Sequence, residues 1–240
     1  MIAIAFSLAL AAGTRGAVIL GPSAYLCFDR ATISGCGSDD SPFANIDFSA
    51  GYFHLEDFED GSLNTPGVTP SAGLVVVGPG TFRDSVDADD GLIDGSGEAG
   101  HGYATSSSSV FEFQFDNNVL GAIPTHVGLV WTDVGVATPT ENFDDVTFEA
   151  FDSVGTSLGS IGPIAVGDGL KTGQTAEDRF FGVIWGGGVS RIMLTSAGST
   201  DWEIDHLQYG VPEPATALLL GSLVSLLVLR RRQSGRGNRH

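Results

Sequence analysis

The residues best equipped for chemistry in this sequence are carboxylates, and they are bunched. "RDSVDADDGLIDGSGE" carries Asp84, Asp87, Asp89, Asp90, Asp94 and Glu98, "EDFED" carries Glu56, Asp57 and Glu59, and "DWEIDHLQYG" carries Asp205. Calcium takes about six to eight oxygen ligands from carboxylates and backbone carbonyls in irregular loops, and Gly91 and Gly95 let the first run curl. Two candidate calcium sites follow. One is the loop of Asp87, Asp89, Asp90 and Asp94. The other joins Glu56, Asp57 and Glu59 to Asp205, provided that the first and last strands lie side by side, as jelly rolls commonly have them. The first run is not an EF-hand, because with Gly91 fixing the frame the first and third ligand positions fall on Val86 and Ala88. The competing reading of both runs is a solvated acidic turn.

Other chemistries lack their residues. "GSGEAG", Gly95 to Gly100, has the spacing of a dinucleotide loop, but a polar loop and a strand follow it where a helix is required. The five histidines contain no H-x-x-x-H pair, so a zinc-hydrolase helix is absent. No G-x-S-x-G elbow occurs. Paired carboxylates suit glycoside hydrolysis, yet with 29 acidic residues nothing singles out one pair.

The elements that must position these groups are strands. Glycine, 34 of 240 residues, is about twice its usual share and implies many turns. Period-two alternation places Phe111, Phe113 and Phe115 on one face of "SVFEFQFD", and Val146, Phe148 and Ala150 on one face of "VTFEAFD". It sets Val127, Leu129 and Trp131 against Val130 and Thr132, and turns Phe181, Val183 and Trp185, then Ile192 and Leu194, then Trp202 and Ile204 inward. No internal segment shows a helical stripe. The expected fold is all-β: one β-sandwich domain over 18–210, jelly-roll-like.

Charge limits the partners. The chain carries a net charge of −18; without the five arginines and one glutamate of the last 29 residues, 6 basic side chains face 28 acidic ones, a net of −22. Such a surface repels nucleic acid. Cys27 and Cys36, in "CFDRATISGC", are spaced for one disulfide in an exported chain.

Both ends read as addresses. Residues 1–17 hold an apolar stretch, Ile2 to Ala12, of signal-peptide length without a basic leader, so the signal is weak or truncated. At the other end "VPEP", Val211-Pro212-Glu213-Pro214, precedes an apolar block over 215–229 and then Arg230, Arg231 and Arg232. Fifteen helical residues reach about 22 Å, short of the roughly 30 Å of a hydrocarbon core, so the expected transmembrane helix needs its flanks to span. The arginines would stay cytoplasmic. A polar, basic tail, 234–240, follows.

This three-part tail, 211–233, resembles the PEP-CTERM sorting signal, from which it departs in its longer polar end. The resemblance implies export, recognition by the membrane enzyme exosortase, transient anchoring, and cleavage near the motif, in bacteria that often make exopolysaccharide. The body, on "FHLEDFEDG" and "DWEIDHLQYG", is similar to lectin-like and galactose-binding-like jelly-roll modules. That resemblance implies a structural ion near the second candidate site.

The expected protein is thus exported and non-enzymatic. It is anchored by its C-terminal helix and then presented at the cell surface or in extracellular matrix, with exosortase, the membrane and exopolysaccharide as partners. No cofactor is required; calcium is the one ion the carboxylates suit. The alternatives are a carbohydrate-binding module and a secreted glycoside hydrolase.

Overall fold

A computed structural model describes residues 16–28, 41–77, 85–86, 100–105, 108–134, 145–166, 178–196 and 202–212. Twelve strands occur among them, with one helical turn. They are β1 (Val18–Ala24), β2 (Tyr52–Glu56), β3 (Val68–Pro70), β4 (Leu74–Val77), β5 (His101–Thr105), β6 (Val110–Phe115), β7 (His126–Val134), β8 (Asp145–Phe151), β9 (Ser157–Ala165), β10 (Arg179–Ile184), β11 (Arg191–Ser196) and β12 (Trp202–Val211). The turn α1 (Asn117–Leu120) is capped at its start by the Asp116 carboxylate and at its end by Gly121 in the left-handed region.

The strands form two antiparallel sheets. The seven-stranded sheet runs β1-β10-β7-β12-β5-β4, with β2 also on β12; the five-stranded sheet runs β3-β6-β11-β8-β9. Within the last eight strands, one sheet holds the first, eighth, third and sixth, and the other the second, seventh, fourth and fifth. The chain therefore crosses repeatedly between sheets, and its last strand lies in the middle of one.

The alternation read from sequence sets the core between the sheets. Phe113, Phe148 and Ile192 from the five-stranded sheet meet Leu129, Trp131 and Phe181 from the other, all at 0% exposure. Aromatic rings bridge the layers: Phe148 stacks on Phe181 at 6.1 Å, and Phe115 meets Tyr209 at 5.1 Å. A residue of this size fully buried is worth about 1.5–3 kcal/mol.

Period two marks half-buried strands, but the central strands of the seven-stranded sheet, β10, β7 and β12, are buried on both faces. Val130, Thr132 and Phe180 point away from the sandwich core and are 0% exposed. Residues around Tyr25 and from Phe43 to Phe48 lie over that outer face and form a second core, in which Tyr25 stacks on Phe180 at 6.1 Å and Phe43 meets it edge-on at 5.4 Å. Gly128 and Gly182, paired opposite each other on β7 and β10, clear the space for the Phe180 ring. A Cβ at Gly128 would lie 2.3 Å from Phe180 Cζ.

β12 changes parity along its length. Ile204 points into the sandwich, and so do Leu207 and Tyr209, which a regular strand would turn outward. The register against β7 slips between Asp205 and Gln208, and His206 absorbs the extra residue at φ 44°. This is a β-bulge. It keeps apolar residues inward on both sides of the bulge and leaves Asp205 and Gln208 on the outer face.

Candidate functional site

The most concentrated polar chemistry among the described residues lies on that outer face of β12. Glu203, Asp205, His206 and Gln208 are all at least 98% buried. A buried polar group costs stability unless it is hydrogen-bonded, and the covering segments supply partners. The Tyr25 hydroxyl lies 2.9 Å from His206 Nδ1 and accepts from Gln208 Nε2 at 2.9 Å. Ser41 Oγ donates to Gln208 Oε1 at 2.6 Å. Asp205 Oδ2 accepts from Ser85 Oγ and from the Val86 N–H, each at 3.0 Å, while its Oδ1 accepts the His206 N–H at 2.6 Å. The network thus ties three covering pieces, around Tyr25, Ser41 and Ser85, to one strand.

The second candidate calcium site is assembled in part. β2 does lie beside β12, with Glu56 opposite Leu207. Ser85 Oγ is 3.0 Å from Asp205 Oδ2 and 3.4 Å from Glu59 Oε1, so these two carboxylate oxygens are at most 6.4 Å apart. Glu59 also accepts the His101 N–H at 2.5 Å, and its Oε2 is 3.2 Å from His101 Nδ1.

Glu56 and Asp57 are occupied differently. Glu56, 3% exposed, accepts from the Phe58 N–H at 3.2 Å and from the Asn64 and Thr65 N–H groups at 2.9 Å. It anchors the loop 57–65. Asp57 Oδ1 accepts the Glu59 N–H within that loop. Among the described residues no three of His, Cys, Asp and Glu are grouped to hold a metal ion. Asp87, Asp89, Asp90 and Asp94 lie outside the described residues. Of the Glu59–Asp205 pair, Asp205 is 0% exposed.

His126 lies on the same outer face, one strand away. Its ring meets Phe43 at 5.5 Å and Phe48 at 5.6 Å, and Thr125 Oγ1 is 3.0 Å from its Nδ1. Burial among these rings disfavours the imidazolium and pushes the pKa down to about 4. On the inner side, burial pushes the Tyr209 phenol up to about 12 while its hydroxyl donates to the Pro66 carbonyl at 2.6 Å.

Sequence reasoning located Asp205 and Glu59 but missed Tyr25, Ser41, Ser85, His206 and Gln208. A usable signal existed: "IDHLQY" puts three polar residues inside an apolar strand and breaks its period. Cys27 is 2% exposed, and no described cysteine is free; Cys36 lies outside the described residues. Val211 ends β12 opposite Tyr52. Pro212 is the last described residue, so Glu213, Pro214, the apolar block, Arg230 to Arg232 and the tail lie outside, as do residues 1–15. Among the described residues no helix is long and apolar enough to cross a membrane.

No protein-family model matches the chain, and no curated protein or solved structure matches it significantly.

Proposed function

We propose that the chain is an exported, non-enzymatic jelly roll carried to the cell surface or extracellular matrix by its C-terminal signal. The observation that carries this reading is the ordered tail: Val211-Pro212-Glu213-Pro214, the apolar block, and Arg230 to Arg232. Three structural facts support it. The order of the last eight strands is that of two interleaved Greek keys. β12 ends at Val211, so the motif begins where the sandwich ends. The polar cluster around Asp205 is buried and hydrogen-bonded among the described residues.

In this reading exosortase is the processing partner and the membrane anchor is transient. Cys27 is joined to Cys36, which a non-reducing peptide map checks. The experiment for sorting is the intact mass of protein recovered from the native host. Loss of the residues after about Pro214 is expected, and a surface-recovered chain still ending at His240 would sink the processing step.

A carbohydrate-binding module of the same fold is the second reading. A polar cavity on the solvent side of the five-stranded sheet favours it.

A further inference from the structure

The two sheets differ in what covers them. The middle of the outer face of the seven-stranded sheet lies under Tyr25 and the residues from Phe43 to Phe48. The outer face of the five-stranded sheet carries polar, partly exposed side chains at alternate positions. One row of it holds Thr69, Gln114, Arg191 and Phe151 on four neighbouring strands, in direct register. Arg191 Cζ sits 3.9 Å above the Phe151 ring, and one guanidinium nitrogen pairs with Glu112. The planar group is therefore held in place while its other N–H donors remain to be used.

A cavity of about 350 Å³ opens beside this row, lined by Gln114, Asp152, Ser153, Ser190 and Arg191, with Phe115 beneath. Its size is at the small end of the ligand range, roughly 300–1,000 Å³. Asp152 is fixed by its own turn, since its Oδ1 accepts the Val154 N–H at 3.0 Å and the Thr156 N–H at 2.8 Å. Ser190 Oγ donates to the Asp152 carbonyl and holds the start of that turn against β11.

We infer that this cavity binds a neutral pyranose unit of a glycan, with Arg191, Gln114 and Asp152 as its polar contacts. The donor set selects the class. A carboxylate accepts only, a guanidinium donates only, and an amide and a hydroxyl do both. An anion such as phosphate would meet the like charge of the Asp152 carboxylate, and a bare cation would meet that of the Arg191 guanidinium. Adjacent hydroxyls on a sugar ring answer both. Charge works against acidic sugars: Arg191 is paired with Glu112 and shares the cavity with Asp152, in a chain of net charge −18. The assignment deepens the carbohydrate-binding reading and is independent of the sorting signal.

The test is a printed array of neutral and acidic oligosaccharides probed with the detergent-solubilised full chain. Calorimetry with the strongest free oligosaccharide follows. Binding confined to neutral glycans is expected, weakened about tenfold or more by Arg191→Ala and about fivefold by Gln114→Ala, with the Gln114→Ala melting midpoint unchanged. Neutral binding that both variants leave intact overturns this site while the module reading stands. Binding of acidic glycans alone overturns the ligand class. No binding to any glycan overturns both the site and the module reading.

Discussion

The imidazole of His126 meets the ring of Phe43 edge-on at 5.5 Å, joining a central strand to the segment that covers it. Burial at that contact favours the neutral histidine. The folded state holds the pKa near 4, below the ordinary 6.5, so it binds fewer protons than the unfolded chain between those values. The stabilisation is complete above pH 6.5 and is lost as pH falls toward 4. About 2–3 kcal/mol of pH-dependent stability is expected from this group. Denaturant melts of the full chain at pH 7 and pH 4, with His126→Leu beside it, check this. A variant whose pH slope equals that of the parent would refute it.

Glu56 should matter for stability. Its carboxylate holds three backbone N–H groups of the loop 57–65. Glu56→Gln replaces one acceptor oxygen by an amide that faces N–H donors, and a cost of about 2–4 kcal/mol is expected. For a domain of this size that is a fall of roughly 5–10 °C in midpoint. An unchanged melting curve would mean that the loop is held by other contacts.

The Gly128–Phe180 contact predicts coupling between two strands. Gly128→Ala should cost about 1–3 kcal/mol by overpacking. In a Phe180→Leu background the added methyl meets a smaller side chain, so the same change should cost less. A double-mutant cycle reads the difference directly, and purely additive effects would contradict the packing described.

The sandwich core was legible because Phe111, Phe113 and Phe115, or Val146, Phe148 and Ala150, obey the period of a strand with one wet face. The second core was not, because Tyr25, Phe43 and Phe48 come from a segment without period, and its burial depends on which strand it covers. Phe180 and Val130 look solvent-facing by alternation alone. The site was legible in the same uneven way. The approach of Glu59 to Asp205 followed from placing an early strand beside the last. The role of Glu56 did not, since a carboxylate that wraps a loop and one that holds an ion have the same letter. The row of Gln114, Arg191 and Phe151 arises only from register across three strands, which no local pattern encodes.

The position of β12 has a mechanical consequence. This strand is hydrogen-bonded along both edges, to β7 on one side and to β5 and β2 on the other, and the chain leaves it at Pro212. Tension applied beyond Pro212 runs along the strand axis and strains those bonds in shear, many at once. β1, at the opposite end of the described chain, is paired with β10 only and would peel away more readily. A tether at the C-terminal end, as proposed above, would grip the sandwich by a strand seated on both sides.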